Sequence, residues 1–563
     1  MKKTDMRSVR GADRVGRRIP DTVGRRDRLV GIFYFVCNSS HSAGGPVDVS
    51  KVIAEDPTAA TDMDHPAWTG GAYWGEPLFG YYMTEDEWVI RKHIEMLGFA
   101  DVDFLVFDTT NRVIFYDQVT KIMSLLEEYI DAGYPAPKVV FYTNTEAGET
   151  VNELYDRIYS KGLYRSTWFE LDGKPLIIDR PEECRPEARE FFTHRISQWP
   201  LDEQHEEGFP WMEFIRPQRV YRKKDGTPEV VNVSVAQHPN CAHSDSAFFG
   251  EDGAWGRSYH NGRMDIRENA VQYGFNFAEQ CEYALKVDPE IVFVTGWNEW
   301  TAGQWRWDRR EPFTYTVRND EGEFTYYREG IQDMRAVMCD CCSLEYSRDI
   351  EPMKGGYFDN YYMQLVEFIR RYKGGDADPT DEGDGLVYSD YPAGALPRDT
   401  DGNGNTHYRE PAGANDIRSM TVKSTDDSVI FTAECADAIR REGNYMRLYV
   451  VPAEQEHYGS VLAPYKTKTY IFTPDGTAQV YLNKEKAELP DVRVYVDGAV
   501  IRYEIPKKLL CLPEEGGFAL DFKWADSIKA DDTVEDFYLH GDTAPYGRLC
   551  YRYRFAEERT TDR

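Results

Sequence analysis

The sequence lacks several features that would assign it to a common class of protein. No G-x-G-x-x-G turn follows an early strand, as a doubly wound nucleotide fold would require. The 10 cysteines show no paired C-x-x-C or Cys/His spacing of a zinc site. No apolar run is long enough to span a bilayer. These absences disfavour a dinucleotide-binding domain, a zinc module and a membrane-spanning protein.

Positive charge is also scarce. The chain has 66 Lys and Arg against 97 Asp and Glu, a net charge of -31, so we expect no nucleic-acid partner. The exception is residues 1–28, which we interpret as a disordered basic leader. Because no apolar stretch follows Lys2 and Lys3, this leader does not resemble a secretory signal. A cytoplasmic location is therefore favoured, with export left open.

Short apolar runs alternate with amphipathic stretches between residues 29 and 375. The strands predicted there are 29–36, 102–108, 138–144, 174–179, 210–215, 230–237 and 290–297, with an eighth near 334–339. Alternating strands and helices of this number predict an α/β fold, a (β/α)₈ TIM barrel, rather than an open doubly wound sheet.

The pattern changes after the barrel. Residues 376–409 are rich in Gly, Pro and acids and are interpreted as a linker, whereas 410–563 alternate in short strands, which predicts an antiparallel β-sandwich. From Asp399 to Glu410 the oxygen-bearing residues have the spacing of an EF-hand calcium loop, although no helices flank them. Calcium is thus one interpretation and an acidic Gly-rich loop the other. No other cofactor is expected.

Polar residues lie at or just after the C-terminal ends of the predicted barrel strands, where barrel enzymes have their catalytic residues. They are Asp108, Asn144, Asp179, His238, Asn298 and Glu299. Hydrolysis of a glycosidic bond needs two carboxylates, one as acid and one as base or nucleophile. Nearby indoles stack on sugar rings and raise the pKa of a carboxyl group by lowering local polarity. This combination favours a sugar-cleaving site.

The segments "GWNEWTAG", "IFYFV", "WGEPLFGYY" and "DFLVFD" together resemble the glycoside hydrolase family 99/71-like group, which includes endo-α-mannanases, α-1,3-glucanases and WbsX-like proteins. The resemblance covers roughly residues 29–375 and implies a (β/α)₈ barrel acting on glycans. Glu299 matches the first catalytic glutamate of the family-99 motif. The second glutamate would stand at Ala302, so the partner must come from another strand end. Asp108 is the first choice, Asp179 the second and Glu351 the third.

The C-terminal segments "GFALDFKWADS" and "DFYLHGDTAPYGRLCYRYRF" resemble family-9 carbohydrate-binding and DOMON-like β-sandwiches over about 410–556. The chain as a whole is thus predicted to be a glycoside hydrolase acting on a polysaccharide or complex glycan, with Glu299 as general acid or acid/base and Asp108 as its partner. The alternative is a non-catalytic glycan-binding or polysaccharide-synthesis accessory protein. The residues predicted to contact substrate are Asn298, Trp297, Trp300, Asp179, His238, Trp74 and Tyr34.

Overall fold

The computed structural model describes residues 1–21, 24–38, 45–62, 64–68, 71–303, 305–308, 311–330, 334–338, 341–441, 445–452, 469–474, 478–482, 485–488, 491–529 and 533–556. The α-helices in these ranges are Val49–Glu55, Glu87–Phe99, Tyr116–Asp131, Ala147–Arg157, Pro186–Phe191, His243–Phe249, Phe275–Val287, Asn360–Lys373 and Asp536–Leu539. Within the same ranges, no helix has the length and apolar character needed to cross a membrane.

Parallel strands form a barrel-like sheet in the N-terminal part of the chain. They are, in chain order, Leu29–Tyr34, Phe104–Thr109, Lys138–Thr143, Lys174–Asp179, Thr193–Gln198, Gly208–Pro210, Pro228–Ser234 and Ile291–Thr295. Their order around the sheet equals their order in the chain, and the last strand pairs with the first. Between the sixth and seventh strands, the Asn232 side chain donates to the Trp211 carbonyl at 3.3 Å. This strand order is that of a barrel and excludes a doubly wound sheet.

One predicted barrel strand lies outside the barrel sheet, and one strand of the barrel was not predicted. Met334–Val337, predicted as the eighth barrel strand, instead pairs antiparallel with Trp305–Asp308 outside the barrel sheet. The strand that the sequence missed is Thr193–Gln198, because its polar residues hide the apolar pattern of a buried strand. Its Arg195 forms a buried ion pair with Glu229 at 2.6 Å. Ile291–Thr295 is therefore the eighth strand, and Glu299 follows it.

The first long helix, Glu87–Phe99, begins at Asp86, whose carboxylate accepts the N–H groups of Trp88 and Val89. Asp86 satisfies two of the N–H groups that a helix leaves without a partner in its first turn.

Residues 1–28 are not a disordered leader over the ranges that the structure describes. Lys2–Lys3 pairs with Leu386–Ser389, and Val9–Arg10 pairs with Cys550–Phe555. The segment is ordered because its basic side chains meet acidic partners: Arg10, for example, binds both Asp21 and Asp378. In an acidic protein, a basic segment is attracted to the folded surface.

The predicted linker is also structured. Leu386–Ser389 is a strand of a C-terminal sheet, and Arg398–Asp401 pairs with His407–Glu410 as a hairpin. The C-terminal strands are Leu386–Ser389, Ile417–Ser424, Ser428–Cys435, Val500–Pro506 and Arg493–Asp497 in one sheet, and Cys550–Phe555, Phe518–Asp526, Arg447–Pro452, Tyr470–Pro474, Ala478–Leu482, Glu485–Glu488 and Asp542–Ala544 in the other. Aromatic rings pack between the two sheets, as Phe522 does against Phe431 at 5.8 Å.

A buried ion pair joins the barrel to the C-terminal sheets. Asp359, which precedes helix Asn360–Lys373, accepts two hydrogen bonds from Arg548 at 2.8 and 3.0 Å. The hydroxyl of Tyr538 donates to the same carboxylate at 3.1 Å. Three donors thus compensate one buried charge at the contact between the two parts of the chain.

Replacing Arg548 by Ala should lower the free energy of unfolding by about 3–5 kcal/mol, because it leaves the Asp359 carboxylate buried with fewer partners. Equilibrium denaturation in urea measures this loss. The control is Arg493→Ala, which removes an exposed pair with Glu504 and should cost about 1 kcal/mol or less. Equal losses for the two variants would contradict the structural importance of the buried pair.

Candidate active site

A cleft of about 1110 Å³ opens where the barrel strands end, and both Glu299 and Asp108 line it. Phe35, Trp199 and Trp211 contribute aromatic surface to the same cleft. Glu299 follows the eighth strand and Asp108 lies in the second strand, one residue before its end, so the barrel brings together residues that lie far apart in the sequence. The cleft therefore contains the two acids that the sequence singled out, next to apolar surface.

Glu299 is held by two neighbouring residues of one segment. The guanidinium of Arg348, with only 1% of its side chain exposed, binds the Glu299 carboxylate, which is 15% exposed. The carboxylate of Asp349 accepts the main-chain N–H of Glu299. The indole N–H of Trp74 also donates to Asp349, at 2.8 Å. Side chain and main chain of Glu299 are thus fixed separately.

Asp349 is a buried acid with a shifted proton affinity. Burial raises the pKa of Asp349 to about 6, while the positive charges of Arg257 and Arg348 and its hydrogen bonds oppose that shift. Burial dominates because a carboxylate inside the protein loses its hydration. Asp349 therefore binds a proton more tightly in the folded chain than in the unfolded chain.

Asn298 orients the turn and does not face the cleft. It is buried, its Oδ1 accepts the Phe35 N–H at 2.8 Å, and its Nδ2 donates to the Phe35 carbonyl at 3.1 Å. The amide side chain thereby connects the end of the eighth strand to the end of the first. This geometry fits a residue that orients the turn carrying Glu299, and it does not fit the substrate contact predicted for Asn298.

Glu351, the third choice for the second carboxylate, lies in the core. It accepts hydrogen bonds from the Tyr82 hydroxyl at 2.8 Å and from the Trp300 indole, and it contacts His93 Nε2 at 3.0 Å. The Tyr34 hydroxyl bonds the other ring nitrogen of His93 at 2.8 Å. This buried network packs against the turn that carries Glu299 and is closed to substrate.

The aromatic residues predicted to stack on sugar are also core residues. Trp74, Trp297, Trp300 and Tyr34 are all buried. Trp74 and Trp300 stack on each other at 4.5 Å, which uses their faces for packing. The indoles of Trp74 and Trp300 donate to buried acids, and the Tyr34 hydroxyl bonds His93. The Trp297 ring packs edge-on against His93 and Tyr362. The predicted sugar contacts of these four residues are therefore wrong.

The aromatic pair that lines the cleft was missed. Trp199 and Trp211 have their ring centroids 4.7 Å apart, with planes inclined at 55°. Trp199 directly follows the unrecognised fifth strand, and Trp211 directly follows the sixth strand. The available signal was a Trp at a strand end, but it required the correct strand bounds.

Asp108 and Glu299 line the same cleft and share one electrostatic neighbour, the thiol of Cys37. Its Oδ1 accepts the N–H of Thr110 at 3.0 Å and the Thr110 hydroxyl at 2.7 Å. Cys37 lines the cleft, and burial raises the pKa of its thiol well above the ordinary value, with the charges of Asp108 and Glu299 adding to the shift. The negative charges of both carboxylates are therefore close enough to Cys37 to raise the pKa of its thiol.

Asp179 and His238 were predicted to contact substrate. Asp179 is fully buried, and its oxygens bind His194 Nδ1 at 2.9 Å and the Cys184 thiol at 3.1 Å, so it is a packing residue. His238 is partly buried, and burial lowers its pKa well below the ordinary value, with the charges of His243 and Arg348 acting in the same direction. The charge of Arg348, which binds Glu299, thus helps to keep His238 neutral.

The proposed calcium loop is a hairpin in which basic side chains bind the acids. Asp399 contacts His407 and Arg409, each at 2.8 Å, and Glu410 contacts His540 at 3.0 Å. The strand pairing separates the oxygen atoms that an EF-hand loop would gather around one ion. In the described ranges, no group of three or more His, Cys, Asp or Glu residues is arranged to hold a metal.

Comparison with known proteins finds only distant structural similarity. No protein-family model and no curated protein matches the chain. Two solved structures of the GH99 endo-alpha-mannosidase from Bacteroides thetaiotaomicron are similar to it at 14% identity, each over 62% of this chain. The one in complex with BIS-TRIS-Propane is covered over 98% with a TM-score of 0.34, and the other over 100% with a TM-score of 0.36. Scores this low carry no argument, so the barrel-like fold rests on the strand order described above.

Replacing Asp349 by Asn should change how stability depends on pH. A folded-state pKa raised from 3.8 to about 6 gives stability that is present below pH 3.8 and lost as the pH rises to about 6. Relative to Asp349→Asn, the wild type should therefore lose about 3 kcal/mol between roughly pH 4 and pH 7. Urea denaturation at several pH values gives the difference. The exposed substitution Asp426→Asn is the control, and a pH-independent difference for Asp349→Asn would refute the buried-acid argument.

Proposed function

We propose that the chain is a glycoside hydrolase that cleaves a polysaccharide or complex glycan. The observation that carries the proposal is that Glu299 and Asp108 line one cleft at the strand ends, beside Trp199 and Trp211. Two carboxylates next to aromatic surface provide the acid, the base or nucleophile, and the stacking surface that glycoside hydrolysis requires.

The surroundings of the two acids favour different roles. Arg348 binds the Glu299 carboxylate, and an adjacent guanidinium stabilises a carboxylate in its charged form. Glu299 then suits the nucleophile or base. Glycoside hydrolysis also needs a proton donor, and Asp108, the second strand-end acid in the cleft lining, takes that role in the proposal. This assignment differs from the sequence-based expectation that Glu299 is the acid.

The cleft is large enough for more than a small ligand. Its volume of about 1110 Å³ exceeds the range of about 300–1,000 Å³ that is typical of small-molecule pockets. Trp199, Trp211 and Phe35 supply the apolar faces against which sugar rings stack, and Asn111 and Gln118 offer amide groups to hydroxyls. An oligosaccharide segment of a longer glycan is the substrate class that this lining fits.

A non-catalytic glycan-binding protein is the second candidate, and one observation favours it. Ala302, at the position of the second glutamate in the family-99 motif, packs in an apolar cluster with Val49, Met338 and Cys342. Ala302 also lines the cleft, so the turn after the eighth strand presents a methyl group there instead of a second carboxylate. The two candidates share the cleft and the aromatic pair and differ only in turnover.

Replacing Glu299 by Gln should abolish cleavage of a responsive glycan, with a fall in kcat of about 10³-fold or more, because the charged nucleophile or base is lost. A panel of plant, fungal and bacterial glycans is digested, and the products are separated by chromatography. Glu149→Gln, on an exposed helix position, is the control and should retain full activity. Equal product from wild type and Glu299→Gln would overturn the role assigned to Glu299, and binding without product in the wild type would support the second candidate.

Replacing Asp108 by Asn should slow natural glycans by about 10²–10⁴-fold, the usual contribution of a general acid. Activated aryl glycosides need little protonation of the leaving group, so they should recover most of that loss. Glu299→Gln should show no such recovery. Measuring kcat/KM for both substrate types in both variants tests the roles, and recovery by Glu299→Gln alone would reverse them.

A further inference from the structure

The hairpin formed by Arg398–Asp401 and His407–Glu410, here called the 398–410 hairpin, lies outside the barrel sheet but contributes Asn403 to the lining of the cleft. We propose that this hairpin is an integral part of the active site and that Asn403 is a positioning residue for Glu299, acting through Asn38. The inference rests on the proposed function for its consequence on activity. Its structural part stands independently.

An ion pair fixes the base of the hairpin. Arg398 binds the Asp86 carboxylate at 2.6 and 2.8 Å and donates to the Phe79 carbonyl at 2.8 Å, and both charged side chains are almost fully buried. Asp86 also caps helix Glu87–Phe99. The hairpin is therefore anchored to a helix of the barrel by a pair that is costly to break.

A tyrosine fits tightly into the loop after residue 76. The Tyr408 hydroxyl accepts the N–H of Tyr81 at 2.6 Å. A Cβ atom at Gly80 or at Gly402 would come within 2.3 Å of the Tyr408 ring, so only glycine allows this approach. Glycine on both sides of one ring indicates a close contact specific to this position, because any other residue would displace the hairpin.

The turn of the hairpin reaches the first barrel loop. The main-chain N–H of Asn403 donates to the Tyr81 carbonyl at 2.7 Å. Its Nδ2 donates to the Asn38 carbonyl at 2.9 Å and to the Tyr73 hydroxyl. Asn403 is nearly fully buried, so these bonds are made away from water, where a lost donor leaves an acceptor unsatisfied.

Asn38 connects Asn403 to the turn that carries Glu299. Its Nδ2 donates to the Asn298 carbonyl at 3.4 Å, and its N–H donates to the Thr84 hydroxyl at 3.1 Å. Asn298 directly precedes Glu299. A continuous series of hydrogen bonds therefore runs from the hairpin through Asn38 to the residue before the proposed nucleophile, and loss of the Asn403 donor should loosen that residue.

The test uses Asn403→Asp in the full chain, since Asp has the same shape but lacks the Nδ2 donor. Hydrogen exchange measured by mass spectrometry should become about tenfold faster in peptides covering 33–38 and 297–303, because local opening is easier when a buried bond is lost. Strand Lys138–Thr143 should exchange as in the wild type. Asn405→Asp, the same change at an exposed position of the hairpin, is the matched control. Equal exchange in the two variants would overturn the inference.

Asn38→Asp provides a second test from the barrel side, and if Asn403→Asp does not fold, unchanged exchange of 297–303 in Asn38→Asp alone would overturn the inference. It should speed exchange in 297–303, and the double variant should add little, because both changes break one series of bonds. Fully additive effects would contradict the inference. On a cleaved glycan, Asn403→Asp should lower kcat by about tenfold or more with little change in KM, as expected of a misplaced catalytic group. If the wild type cleaves nothing, the proposed function fails while the exchange result still decides the positioning role.

Discussion

The ion pair between Arg348 and Glu299 is the interaction on which the rest of the site depends. Arg348 is buried, so its charge must be compensated, and the Glu299 carboxylate is the partner that the structure provides at the cleft. The next residue, Asp349, binds the main chain of Glu299. One short segment therefore fixes both the side chain and the main chain of Glu299.

Holding a carboxylate in this way requires further buried polar groups. Asp349 takes a hydrogen bond from Trp74, and Arg257 donates to the Asp349 carbonyl at 2.8 Å. In the "GWNEW" segment the Trp300 indole has the same function, since it donates to the buried Glu351, whereas the Trp297 ring packs against His93 and Tyr362. The cluster of Trp residues around one acid is thus explained by hydrogen-bond donors that carboxylates in the core need, rather than by sugar stacking.

The barrel strands with unbroken apolar runs could be predicted from the sequence, because strands covered on both faces are continuously hydrophobic. The strand Thr193–Gln198 could not, since Arg195 is neutralised by Glu229, a residue on another strand. Glu299 and Asp108 were found as strand-end acids. The cleft aromatics were missed because contacts between distant segments decide that Trp74 packs in the core while the mostly buried Trp211 reaches the cleft lining.

The same dependence on distant segments extends to the two parts of the chain. The N-terminal residues pair with both C-terminal sheets, while Arg17 donates to the carbonyls of Tyr273 and Asn360 in the barrel. The 398–410 hairpin makes the reverse contact at the cleft, through Arg398 and Asn403. Since segments from each end of the chain cross to the other part, the C-terminal sheets act as structural support for the site. A barrel separated from these sheets would lose the hydrogen bond from Asn403 that holds Asn38 beside the turn carrying Glu299.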